Sequence, residues 1–177
     1  GFQEFVSNIL CSREELADGL AAGEGLVEVD NVMSLAYSVL RNRVLPSLLN
    51  VEAASSKAFY PHRTFEAGEV AVLDRSANMG TRTDLNLAAL IAHPTANFSE
   101  MHSTLDVLLY YIGVEYKLEP AEDPLFLAGR CGKIVVHGDT LGFLGEVRPE
   151  VLERRQITMP CSAFEINLNA VLRLMKT

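Results

Sequence analysis

Residue types that do chemistry are sparse in this chain, and their spacing narrows what they can do. His62, His93, His102 and His137 show no metal-ligand spacing, so they read as surface or satisfied-core histidines. Cys11, Cys131 and Cys161 are odd in number and form no Cys-x-x-Cys pair. They read as packed thiols in a reducing cytoplasm, not as a zinc site or disulfide framework. A Ser-His-Asp arrangement stays open, although no Gly-x-Ser-x-Gly elbow exists. Neither Gly-x-x-x-x-Gly-Lys nor Gly-x-Gly-x-x-Gly occurs, so a phosphate loop and a dinucleotide fingerprint are both missing. Gly129-Arg130-Cys131-Gly132-Lys133 pairs two glycines with two cations. It suits an anion or nucleic-acid contact, or, as we expect, a turn entering a strand. Glu66 and Glu69 differ in parity, so a flat strand points them to opposite faces. They act as an acid-base pair only if a bulge at Gly68 resets the alternation.

Composition bounds the rest. The chain has 177 residues and a net charge of -8, with 49% of residues hydrophobic and 21% charged. That is enough for one domain with a sizeable core. An acidic chain is a poor general nucleic-acid binder, because affinity for phosphate comes from Lys and Arg. No apolar run approaches the roughly 20 residues of a membrane span, and no secretory pattern opens the chain. The chain starts mid-pattern at Gly1, and we expect a fragment of a longer protein.

The elements that must position these residues follow from pattern. Lys133 to His137 and Leu141 to Val147 are apolar, β-rich runs, and Gly138-Asp139 between them is a hairpin turn signal. Pro149 then opens a helix through Val151, Leu152 and Arg154. Gly142 and Gly145 in the second strand imply a bulge or a close backbone approach. Phe5-Val6 favours a strand, and Ser12 with Glu15 caps a helix over about Arg13 to Gly19. Gly19, Gly23 and Gly25 mark a loop before the short strand Leu26 to Val29. Leu35 to Leu40 reads as extended. Pro46 opens a helix running toward Lys57. Thr64 to Leu73 and Asp84 to Ile91 are strands. Asn97 caps a helix with Leu105, Leu108, Leu109 and Ile112 at helical spacing, ended by Gly113. Val114 to Leu118 is a strand. Pro160 to Leu168 is another, with Phe164, Ile166 and Leu168 on one face and Glu165 and Asn167 on the other. Ala170 to Met175 closes as a helix. The tally is an α+β fold with an antiparallel-rich sheet flanked by helices.

Five segments carry a family resemblance. They are Gly1-Phe2-Gln3-Glu4, Leu40 to Leu49, Arg63 to Val70, Gly129-Arg130 with Leu141 to Leu152, and Phe164-Glu165-Ile166-Asn167-Leu168. In this order they resemble the phenylalanyl-tRNA synthetase β subunit and span nearly the whole chain. Arg148 departs from the family's usual histidine, and the usual proline after Asn31 is missing.

The resemblance implies that residues 1–177 are one catalytic-like domain, similar in fold to a class II aminoacyl-tRNA synthetase catalytic domain. Its end at Thr177 resembles the archaeal and eukaryotic type. In this family phenylalanine activation belongs to the α subunit, and the β copy helps build an αβ heterotetramer in the cytoplasm. ATP and Mg serve the parent complex, which also binds tRNA(Phe); no catalytic, cofactor or metal residue is expected in this stretch. The editing module lies upstream. The strand matching the second class II motif reads Thr64-Phe65-Glu66-Ala67-Gly68-Glu69, without the arginine an α-phosphate needs. The segment resembling the first motif places Arg41, Arg43, Leu45, Pro46 and Leu49 at a subunit interface; the same apolar spacing also suits the domain's own core. Two other readings are a stand-alone amino-acid- or nucleotide-binding module and an active class II-like ATP-dependent ligase. A formed, polar-lined pocket on the sheet face separates the first of these from a filled core.

Overall fold

Alternating apolar residues in the long strands build a sheet buried on both faces. The structure is a computed structural model and describes residues 1–17 and 25–175. Seven strands form the main sheet: β1 (Gln3–Glu4), β5 (His62–Leu73), β6 (Thr81–Ala92), β10 (Cys161–Asn167), β9 (Asp139–Val147), β8 (Phe126–Val136) and β7 (Lys117–Pro120), in that spatial order. β1 runs parallel to β5, and the other neighbours are antiparallel. A small second sheet has the order β2 (Leu10–Cys11), β4 (Val39–Leu40), β3 (Val27–Glu28). The described residues thus form an α+β fold with five α-helices.

Parity decides which face each strand residue serves. Val70, Ala88, Leu90 and Ala163 pack with α2 (Leu45–Ala54) and α4 (Pro149–Arg154). The alternate set, Ala89, Ile91, Phe164 and Ile166, packs with α3 (Phe98–Ile112) and α5 (Leu168–Leu174). α3 has the caps its sequence implies: Asn97 accepts from Glu100 N at 3.0 Å, and Gly113 ends it at φ 78°. Ser12 Oγ accepts from Glu15 N at the head of α1 (Arg13–Ala17), at 3.1 Å. Gly19 and Gly23 of the expected loop lie outside the described residues.

Several expectations shift. The hairpin turn is His137-Gly138 rather than Gly138-Asp139: both residues have positive φ (52° and 94°), and Val136 pairs with Asp139. A two-residue turn with positive φ at both centres matches the twist of the flanking strands. Leu35–Tyr37 is a 3-10 turn, because Ser34 caps it by accepting from Ala36 N; only Val39–Leu40 is extended. The first strand is Gln3–Glu4, not Phe5-Val6. β10 stops at Asn167, whose side chain caps α5, so Leu168 is helical. The Gly129 to Lys133 stretch lies within β8, bent where Gly129 adopts φ 76° and the pairing register slips between Phe126 and Cys131. Gly142 and Gly145 mark close approaches: an added Cβ would lie 1.9 Å from Glu165 O at the first and 2.7 Å from the Phe126 ring at the second.

Candidate functional site: the cleft at the head of helix α2

The head of α2 lacks a local cap, since Val44 offers no side-chain oxygen to it. Its first amides point instead at a carboxylate from another strand. Glu165 on β10 accepts from Val44 N at 2.8 Å and from Leu45 N at 3.0 Å. It also accepts from Asn86 Nδ2 at 2.8 Å. Glu165 is 5% exposed, and a carboxylate at a helix N-terminus is favoured by the helix dipole and the orphan amides there.

A cleft of about 300 Å³ opens beside this carboxylate. Val70, Val72 and Phe143 line its apolar side, and Asn42, Arg43, Asp84, Asn86 and Asp123 line its polar side. Arg43 Nη1 donates to both oxygens of Asp123, at 3.1 and 3.0 Å, and its Nε lies 3.7 Å from Glu165. Burial pulls the Arg43 guanidinium down, but Glu165 and Asp123 outweigh it and hold the group above its ordinary range. Asp84 accepts two bonds from Arg82, at 2.8 and 2.9 Å, and one from Asn167 Nδ2 at 2.9 Å. These bonds, led by Arg82, hold its carboxyl below the usual range. The cleft wall therefore carries Asp123 and Glu165 against Arg43, and Asp84 paired with Arg82 behind it.

A second arginine sits deeper. Arg41 is 2% exposed. It donates to Glu66 Oε1 at 2.8 Å, Ser7 Oγ at 2.8 Å, Ser47 Oγ at 3.2 Å and Glu69 O at 3.0 Å. Ser7 Oγ in turn donates to the other Glu66 oxygen at 2.5 Å. Gly68 makes the room, since a Cβ there would lie 2.1 Å from Arg41 Nη2. The Thr64 to Glu69 stretch, which has no arginine, thus receives one from the segment before α2, and Glu66 neutralises it. β5 pairs with β6 without a register break, so no bulge resets Gly68; Glu66 is buried and Glu69 exposed.

The five residues expected at a subunit interface are placed as follows. Arg41, Leu45, Pro46 and Leu49 are buried within this chain, and the Arg43 side chain is 15% exposed. Asp123, Asp84 and Glu165 are cleft residues that the sequence reading did not single out. Glu165 had a signal: an acid at a position whose strand neighbours of the same parity, Ala163 and Cys161, face the core.

Other chemistry-bearing residues are engaged locally. Arg130 pairs with Glu146 at 3.3 Å and Lys133 with Glu119 at 3.0 Å, so both cations of the glycine stretch are matched by carboxylates. His62 Nδ1 meets Glu52 at 2.9 Å, and His93 Nε2 meets Glu100 at 2.7 Å. All three thiols are buried; burial pushes Cys11 and Cys131 up to about 11 and Cys161 further. Among the described residues no group of three or more His, Cys, Asp or Glu is placed to hold a metal ion, and no helix is long and apolar enough to cross a membrane.

Comparison with known proteins gives this architecture a family. Residues 1–168 match the model described as phenylalanyl tRNA synthetase beta chain CLM domain. A Thermococcus kodakarensis protein named phenylalanine--tRNA ligase beta subunit is 42% identical over 143 residues, 81% of this chain and 25% of that protein. Proteins of the same name from Treponema pallidum and Borrelia hermsii are 37% and 38% identical over 173 residues, 97% of this chain. The chain spans 25–31% of the length of these relatives. A match over nearly the full chain, and identity at this level across it, mean that the chain belongs to the phenylalanyl-tRNA synthetase β chain family, as its CLM domain.

Proposed function

We propose that this chain is a non-catalytic structural module of a phenylalanyl-tRNA synthetase β subunit. It supports assembly with the α subunit, which ligates phenylalanine to tRNA(Phe) using ATP and Mg. The observation that carries this reading is the state of the arginines beside the sheet. Arg41 is neutralised by Glu66, and Arg43 by Asp123 and Glu165. Adenylate formation depends on preorganised positive charge where negative charge develops on the α-phosphate. Here that charge is matched in place, and a triphosphate entering the cleft meets more carboxylates than cations. The same observation counts against an active ATP-dependent ligase.

The nearly all-antiparallel sheet with helices on both faces supports a class II synthetase-like fold, taken over residues 1–177 as one catalytic-like domain. The archaeal or eukaryotic type and a cytoplasmic αβ heterotetramer belong to the same proposal. The Leu40 to Leu49 segment enters it as a support. Arg41, Leu45, Pro46 and Leu49 hold α2 in place, and the contact surface comes from the apolar side chains before it, Met33 and Leu35, which are 104% and 80% exposed.

Affinity purification of the full-length protein tests the reading: an α subunit and tRNA should be recovered with it. Phenylalanine-dependent pyrophosphate exchange should be at background for full-length β alone and appear on adding α. Exchange by β alone would show a working active site in this chain.

A further inference from the structure

We propose that the sheet face over β5 and β6, beside α3, seats an amphipathic helix with a basic edge, supplied by the part of the β polypeptide outside residues 1–177. The inference rests on reading the chain as one part of a longer β subunit, and it is independent of assembly with α. β5 is covered on one face only. Thr64, Glu66, Gly68 and Val70 are buried, whereas Arg63, Phe65, Ala67 and Glu69 on the other face are exposed or half-buried. On β6, Leu85 and Leu87 pair with Glu69 and Ala67 and are also only half-buried.

One helix covers about two strands, because helices pack roughly 8–10 Å apart and strands about 4.8 Å apart. On this face α3 takes β9 and β10: Met101, Leu105 and Leu109 pack with Leu144 and Phe164. α5 meets β6 near its start, where Asn169 Oδ1 accepts from Leu85 N. Among the described residues no helix covers β5 on this side. A groove of about 230 Å³ marks the gap, with Phe65 and Leu87 on its floor, Thr104 and Leu108 on the α3 wall, and Phe2 beside the edge strand β1. α3 shows the same gap from its own side. Tyr111 continues the row of Thr104 and Leu108 at helical spacing, with Val107 next to it. These two are 82% and 57% exposed. From Val107 to Ile112 every residue is apolar or aromatic, and a helix apolar all round is a covered one.

Charge and size define the occupant. Glu4 pairs in register with Phe65, and Glu69 lies on the same face of β5 four residues on. Both are exposed, and among the described residues neither has an ion-pair partner. Arg63, the cation of this rim, is held by Glu100 at 2.9 Å. The unmatched carboxylates favour Lys or Arg along the edge of the incoming helix. They disfavour a second copy of this chain, whose own rim is the same and whose net charge is -8. The uncovered strip is about 10 Å wide and about 15 Å long from Phe65 to Glu69, the length of about three helical turns. That footprint is far below the roughly 800 Å² each partner gives to a stable complex. A helix seated there is therefore tethered, so that effective concentration makes up for area. The relatives supply the chain for it, since residues 1–177 span only 25–31% of their length.

Tyr111→Cys in full-length β is the reporter, at a position whose exposure lets the fold tolerate it. Its labelling by a maleimide, followed by peptide mass spectrometry, should be about tenfold slower or more than in the urea-unfolded chain, with or without α. Adding Glu4→Lys and Glu69→Lys, both surface changes, should raise the labelling rate several-fold by repelling the basic edge. Val107→p-benzoylphenylalanine then identifies what covers the groove. On irradiation it should join a β segment outside residues 1–177, in a product with the mass of one β chain. Labelling near the unfolded rate would overturn the proposal, as would protection that appears only when α is added. So would a crosslink to α, to a second β chain, or only within residues 1–177. Protection that α alone confers would leave the assembly reading standing, so the two readings fail separately.

Discussion

The Arg41–Glu66 pair shows what a single residue decides in this protein. Both side chains are almost fully buried, at 2% and 1% exposure. A buried pair is tolerated only when its remaining donors and acceptors are satisfied, and Ser7, Ser47 and Glu69 O do this. Gly68→Ala places a methyl 2.1 Å from the guanidinium and should break the network. We expect a loss of about 1–3 kcal/mol, the range for overpacking a close-packed site, measured as a lower denaturant midpoint with unchanged slope. Asp84 tests the charge balance of the cleft. Its folded-state carboxyl lies below its ordinary 3.8, so its stabilisation is full above that value and is lost as pH falls through the lower folded value. Asp84→Asn should therefore flatten the acid limb of the stability curve below about pH 4, where wild type declines. The sequence shows Glu66 and Glu69 as opposite in parity, and the strand keeps them so. It does not show Arg41 arriving over Gly68, because that contact joins positions whose pairing only the packed fold defines.

Elements were legible where the signal is local. α3 has its cap and its terminating glycine within its own sequence, and both are used. The β8–β9 hairpin was legible as a hairpin, but its turn moved by one residue because His137 accepts positive φ beside Gly138. His137→Asn suits that position better and should stabilise the protein by a few tenths of a kcal/mol up to about 1, read from thermal or denaturant unfolding. Amide exchange should be slowest at Ile134 to Val136 and at Phe143 and Leu144, where the hairpin is paired inside the sheet. Fast exchange across that hairpin would contradict the topology. The 3-10 turn at Leu35–Tyr37 was not legible as such: apolar residues suggested a strand, and the Ser34 hydroxyl won by capping a turn.

At the scale of the whole molecule, the α+β class and the two-faced sheet followed from alternation, while the cleft did not, since its wall combines β5, β6, β9, β10 and the segment before α2. Arg41→Glu in full-length β should abolish α association only by unfolding this module. Circular dichroism on the isolated variant, showing lost native signal together with lost co-purification, is the expected outcome; a folded variant that fails to associate would make Arg41 a direct contact. The cap of α2 carries a further consequence, for the timing of synthesis. Glu165 follows Val44 by 121 residues. At about 5–20 residues per second, the head of this helix waits roughly 6–24 s on the ribosome before its carboxylate is made. Until then the amides of Val44 and Leu45 lack their protein acceptor, and the nascent chain holds α2 without the partner that fixes it to the sheet.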